Sequence, residues 1–288
     1  MSRPHARRHF IIPDTQVKPG VPTDHLLWVG AAIAEYEPDV LICLGDWADM
    51  ESLSSYKSRR EAEGKRYAED IASARNAMVR LFDALNDACR TRAKRAWLKG
   101  LRKVLTLGNH EYRIQRAVNE APNLEGFMSM GDLRYEDFGW EVYPFLDLVE
   151  IDGVTYSHYF QNSMGRPYAG MIETRIRNIG FSFVQGHQQG KRQGEVPRNN
   201  GDLHRGLSVG SCYMHDEDYM AQANAGHWRG VVVLNDVRRG NYDLMELSLD
   251  YLCRRFGPGQ HVWQFMKRRY PAIYRGSSWL RQEERMRA

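Results

Sequence analysis

The sequence predicts an α/β fold in which two packed sheets are flanked by helices. Three observations carry this. Strand-like apolar runs alternate with amphipathic stretches over the first 110 residues, the pattern of a βαβ unit and a parallel sheet. Beyond residue 140 the strands come close together and are joined by tight turns. No internal repeat or linker divides the 288 residues, so one domain is expected over 1–250, with a helical insertion at 50–100. Residues 251–288 form a basic, aromatic extension expected to pack on the same domain.

The elements follow in order. "RHFII" (8–12) reads as a buried strand stopped by Pro13. "TDHLLWVGAAIAEYEP" (23–38) reads as a helix, with Thr23 as N-cap and Pro38 beyond its end. "DVLICLG" (39–45) is the next strand. In the insertion, Ile71, Ala74, Met78, Leu81, Leu85 and Ala88 recur at helical spacing, predicting an amphipathic helix of about six turns. This segment is expected to form a lid or flank, with Arg59, Arg60, Lys65 and Arg66 on its surface. "KVLTLGNHE" (103–111) is a third strand running into a polar turn. "WEVYP", "FLDLVEI" and "VTYSHYF" are strand-like, the last two joined at Asp152-Gly153 as a hairpin. "GMIETRIRNIG" is a helix stopped by Gly180, and "FSFVQGHQQG" is a strand ending in Gly-His. "RGLSVGS", "RGVVVLNDV" and "YDLMELSL" are further strands.

At 42% hydrophobic and 11% aromatic residues the chain can fill a core, which excludes disorder. The cysteines at 43, 89, 212 and 253 have neither CxxC nor zinc spacing and read as reduced thiols. The N-terminal apolar run is only Phe10-Ile11-Ile12, too short for a signal peptide or a membrane span. A cytoplasmic protein with no membrane partner is therefore expected. Charge is uneven: residues 251–288 carry a net +7 and the other 250 residues −3. A polyanionic partner fits that asymmetry.

Several strands end on polar clusters: Asp14-Thr15-Gln16, Gly45-Asp46 with Asp49, Gly108-Asn109-His110-Glu111, His158, and Gly186-His187-Gln188-Gln189. Ligands of open α/β sheets bind beyond the carboxyl ends of strands, and hard oxygens gathered there with imidazoles suit divalent cations. In this order the motifs resemble those of the calcineurin-like metallophosphoesterases, over roughly residues 9–250. The resemblance implies a two-sheet sandwich with two metal ions about 3.5–4 Å apart, which clamp a phosphate and generate a hydroxide that attacks phosphorus in line. It implies that Asp46 bridges the metals and that Asp14, with Gln16 and Gln189, serves the first. Asn109, His158 and His187 complete the second. His110 and Asp49 form the catalytic pair: His110 protonates the leaving oxygen, and Asp49 fixes its tautomer.

Two positions depart from the family pattern: Gln16 and Gln189 stand where histidines are usual. Amide oxygen is a harder and weaker ligand for zinc, so the first site is expected to be weak. Manganese is the favoured ion, with magnesium, zinc or iron as alternatives. Gln188, His204, His215 and His227 are the candidates for a substitute ligand, the histidines being expected at the surface. The Asp-x-Gln variant is associated with phage-borne members, which would place the protein in a host cytoplasm.

The phosphoprotein phosphatases of this family continue GDxxD with Arg-Gly, whereas Asp49 is followed by Met50-Glu51. Residues 90–103 carry seven positive charges and no acid, and they lead into the strand before His110. Arg92, Lys94 and Arg95 are accordingly expected to bind substrate. In the C-terminal extension the arginines alternate with Tyr251, Phe256, Trp263, Phe265, Tyr270, Tyr274 and Trp279. These features favour a nuclease or nucleotide phosphodiesterase, since cations neutralise phosphates and aromatics stack on bases. The alternative for the tail is packing on the domain or on a second copy of the chain. The alternatives for function are a phosphomonoesterase or protein phosphatase, or a catalytically impaired scaffold that binds a protein partner.

Overall fold

The computed structural model describes residues 7–55, 63–217, 224 and 226–287. Its strands are β1 (Arg7–Ile12), β2 (Val40–Cys43), β3 (Arg102–Thr106), β4 (Glu141–Tyr143), β5 (Val149–Ile151), β6 (Val154–Ser157), β7 (Phe183–Gln185), β8 (Arg192–Pro197), β9 (Leu203–Ser208), β10 (Gly230–Arg238) and β11 (Asn241–Ser248). They form two sheets, ordered β11-β10-β1-β2-β3-β4 and β5-β6-β7-β9-β8. Strands β1 to β4 are mutually parallel, so their carboxyl ends lie along one edge.

Period-2 alternation explains the sandwich. In β1, Ile11 joins the core between the sheets, while Phe10 and Ile12 face the outer helical layer. Val40 and Ile42 face inward in β2, and Leu41 and Cys43 outward. The inner core meets Val154, Tyr156, Val184 and Leu207 of the second sheet. His9 crosses between the sheets, bonding Tyr156 Oη at 2.7 Å and Asp152 Oδ2 at 2.9 Å. The predicted hairpin at Asp152-Gly153 forms with φ of 54° and 84°, the left-handed pair that a tight β-turn requires.

Helix α1 (His25–Tyr36) starts later than its expected cap. Thr23 contributes only its carbonyl, which accepts the Leu26 N–H at 3.1 Å. The Asp24 carboxylate is engaged by Tyr270 and by Arg80. The insertion supplies α2 (Tyr67–Ala88), which buries Ala74, Ala77, Met78, Leu81, Phe82 and Leu85. It flanks the first sheet through α1: a Cβ at Gly30 would lie 2.9 Å from the Ala84 Cβ. Arg59 and Arg60 lie outside the described residues, and Lys65 pairs with Glu51 at 2.7 Å.

Helix α3 (Arg92–Gly100) carries Arg92, Lys94 and Arg95, the residues expected to bind substrate. It ends just before β3 begins, so the length of that strand separates it from the catalytic edge. Lys94 Nζ donates to the Ala34 carbonyl at 2.7 Å, and Trp97 donates to the Pro38 carbonyl at 2.9 Å. Ala34 lies in the last turn of α1, and Pro38 just precedes β2. The helix that carries the three cations therefore leads into the start of β3, at the end of the strand away from His110.

Helix α4 (Tyr112–Glu120) follows β3 and α5 (Ile172–Ile179) precedes β7, and the C-terminal extension forms α6 (Leu249–Phe256), α7 (Val262–Arg269), α8 (Pro271–Arg275) and α9 (Ser278–Arg287). Its aromatics pack onto the domain. Phe265, Tyr274 and Trp279 are buried in the outer core, and Tyr251, Phe256, Trp263 and Tyr270 pack against it. Trp279 Nε1 donates to the Met214 carbonyl at 2.6 Å. The aromatic payload is spent on packing while the arginine heads stay in water. The four cysteines are free and buried, and no described helix is long and apolar enough to cross a membrane.

Candidate metal centre

The loops after β1, β2 and β3 meet because their backbones are zipped together. The Thr15 and Gln16 N–H groups donate to the Asp46 carbonyl at 3.0 and 2.8 Å, and Asp49 N–H donates to the Val17 carbonyl at 2.9 Å. Glycine makes the closest approach: a Cβ at Gly108 would overlap the Asp46 backbone and carboxylate. Asp46 itself is left-handed, at φ 47°. This turns its carboxylate into the centre, where Oδ1 accepts the His110 N–H at 2.9 Å.

The expected ligands of the second site come together. Asp46, His158 and His187 each present a ligand atom within 4.8 Å of the others. Asn109 Oδ1 lies between the imidazoles, 2.9 Å from His158 Nε2 and 2.8 Å from His187 Nδ1. His158 Nδ1 donates to the Leu44 carbonyl at 2.7 Å, which directs Nε2 to the centre, 3.3 Å from Asp46 Oδ2. Burial opposes the charged form of His158, but the Asp46 carboxylate, followed by Asp14, raises its pKa to about 9. Burial and the charge of His158 lower that of His187 to about 4.

The expected first site is less complete. Asp14 is fully buried; its Oδ1 accepts the His187 N–H at 2.9 Å, while Oδ2 has no hydrogen-bond partner. Burial, with Asp46 adding to it against the pull of His158, raises the Asp14 pKa to about 7. Gln16 is also buried, with Oε1 unpartnered. Two orphaned buried oxygens beside Asp46 form a donor set that fits a hard divalent cation. Gln189 is buried close by in the chain, its carbonyl accepting the Trp228 N–H at 2.9 Å.

The candidate substitute ligands go elsewhere. His215 is buried rather than at the surface, its Nε2 lying 2.8 Å from Glu217 Oε1. His227 Nδ1 bonds Tyr213 Oη at 2.9 Å, and His204 lies in β9. Gln188 Oε1 accepts from Arg175 at 2.7 Å.

His110 Nδ1 donates to Asp49 Oδ1 at 2.8 Å, leaving Nε2 3.6 Å from Asp46 Oδ2. Burial disfavours its cation, but the Asp46 and Asp49 carboxylates outweigh that and raise the pKa. Burial also disfavours the Asp49 carboxylate, yet its bond to His110 and the charges around it hold its pKa well below normal.

Four residues with no predicted role complete the arrangement. Glu111, fully buried, accepts the N–H groups of Asp46, Ala48 and Gly108, each at 2.9 Å, and so ties the two loops together. Arg113 donates to the Asp49 carbonyl at 2.7 Å, and its other terminal nitrogen lies 3.1 Å from His110 Nε2. Lys18 Nζ bridges Asp49 Oδ2 at 3.1 Å and Glu217 Oε2 at 2.9 Å. The spacing of His110 and Arg113 across one helical turn was a legible signal. Lys18 and Glu217, distant in sequence, offered none.

The family model for calcineurin-like phosphoesterases matches residues 9–224. No curated protein matches the chain.

Proposed function

The chain belongs to the calcineurin-like phosphoesterase family, and from that premise we propose that it is a di-metal phosphodiesterase acting on nucleic acid or nucleotides. The convergence of Asp46, Asn109, His158 and His187 beside the orphaned oxygens of Asp14 and Gln16 carries this reading. Divalent cations held there would polarise phosphate oxygens and lower the pKa of water.

The chain's own residues would supply the rest. His110, oriented by Asp49, would present Nε2 to the leaving oxygen and deliver its proton there. Asp49 would act through His110, and Lys18 would hold Asp49 charged. Arg113, beside Nε2, would steady the phosphate. The preference for diesters is supported by the +7 extension, whose attraction for a polyanion is electrostatic, its aromatics being packed in or against the outer core.

The test is a Mn²⁺ activity panel of bis-p-nitrophenyl phosphate, p-nitrophenyl phosphate, single- and double-stranded DNA and cyclic nucleotides, run beside His110→Ala. Diester turnover that needs both Mn²⁺ and His110, with a loss of about 10²–10⁴-fold in the variant, supports the reading. Preference for the monoester would assign a phosphomonoesterase, and no turnover at all would favour a scaffold.

A further inference from the structure

A cleft of about 540 Å³ is lined by Gly170, Met171, Arg175, Gln188, Gly190 and Arg192. One lining residue, Gln188, directly follows His187 of the metal centre in the chain. Arg175, on α5 (Ile172–Ile179), is only 3% exposed, yet its guanidinium has neutral partners alone. Nε and one terminal nitrogen donate to the Gly170 carbonyl at 3.2 and 2.8 Å, and the other donates to Gln188 Oε1 at 2.7 Å.

Among the described residues no carboxylate pairs with Arg175. The charge beside it is another cation, Arg192, exposed at the start of β8 and likewise without an ion pair among the described residues. Buried charges are ordinarily paired, because desolvation is costly. Burial and the Arg192 charge both oppose the Arg175 cation. Two unneutralised guanidinium groups on one cleft form a binding site for an anion, and arginine forks suit phosphate. Met171, 72% exposed, adds an apolar wall.

We propose that this cleft is a phosphate subsite that holds a second phosphate of the substrate beside the one being hydrolysed, as a nucleic-acid strand presents. The inference rests on the phosphodiesterase reading and narrows it: the preferred substrate carries a phosphate flanking the scissile bond. Arg175, fixed by Gly170 and Gln188, is pre-organised, and Arg192 lines the cleft as an exposed residue.

The experiment compares kinetics on 5′-phosphorylated dithymidylate, which carries a second phosphate, with those on bis-p-nitrophenyl phosphate, which does not. Arg192→Glu and Arg175→Gln are tested with Mn²⁺ present. Each is expected to raise KM for the dinucleotide about tenfold more than KM for the small diester, the loss of one charge-assisted contact. Arg175→Lys, which keeps the charge, recovers part of that loss.

In parallel, the anisotropy of fluorescein-labelled decathymidylate is read on Mn²⁺-loaded His110→Ala protein, with and without Arg192→Glu, across a salt series. The added substitution should weaken binding and flatten the salt slope by about 1. Equal KM changes on both substrates, with unchanged binding, would overturn the subsite while leaving the hydrolase reading intact. Binding that depends on Arg192, from a wild-type protein that turns over neither diester, would sink that reading and keep the subsite. Absence of both effects overturns both.

Discussion

Replacing Glu111 tests the architecture of the centre most directly. Its carboxylate is fully buried and accepts three backbone N–H groups, with the Tyr135 hydroxyl 3.3 Å from Oε1. In Glu111→Gln the amide oxygen can keep the Asp46 and Gly108 donors, which share Oε2. The new NH₂ must then face the Ala48 N–H, donor against donor. One unsatisfied buried donor costs about 1–3 kcal/mol, which shifts the melting midpoint of a chain this size by about 2–12 °C. Glu111→Ala orphans all three donors, at about 3–9 kcal/mol, comparable with the whole stability of a typical domain. The loops carrying Asp46 and Asn109 should also loosen, weakening Mn²⁺ binding by about 10–100-fold in the Gln variant. Urea denaturation and Mn²⁺ calorimetry read the two effects. A Glu111→Ala protein with wild-type midpoint and wild-type Mn²⁺ affinity would refute the idea that this carboxylate braces the centre.

Three further predictions follow from the same geometry. Lys18→Met leaves Asp49 and Glu217 buried without the cation between them, so a loss of about 3–5 kcal/mol is expected in denaturant titration; a wild-type midpoint would contradict it. His25 is fully buried with Nε2 bonded to the Cys212 carbonyl, and burial lowers its pKa to about 3. The folded state therefore binds fewer protons than the unfolded state between pH 6.5 and about 3, and stability falls as pH drops through that window by about 1.4 kcal/mol per unit. His25→Phe should be less stable at pH 8 but show a shallower acid limb, and an unchanged slope would count against the assignment. Gln16→His should raise zinc retained after dialysis from about one to about two equivalents, since imidazole is the better zinc ligand; an unchanged content would place the weakness of the first site elsewhere.

Much of the fold was legible because its signals are local. Alternation in Phe10-Ile11-Ile12 and in Val40–Cys43 sorts each side chain to one face of a strand, and those faces became the inner and outer cores. The glycine-led turns at Gly45-Asp46 and Gly108-Asn109 marked where polar groups leave the sheet, because only a residue without a Cβ permits such close contact between the loops. The order of those motifs was enough to indicate the family.

What only the tertiary structure decided concerns distance across the chain. Arg92, Lys94 and Arg95 precede His110 by few residues, yet β3 carries them to the opposite edge, since a strand separates its ends as effectively as it joins them. The tail aromatics have a composition suited to stacking or to packing, and contact with the outer core chose packing. Lys18, Glu217 and Arg175 acquire meaning only from the charges beside them or missing around them. Sequence encodes the period of a strand within a few residues, whereas the electrostatic surroundings of a buried group are summed over segments that meet only after folding.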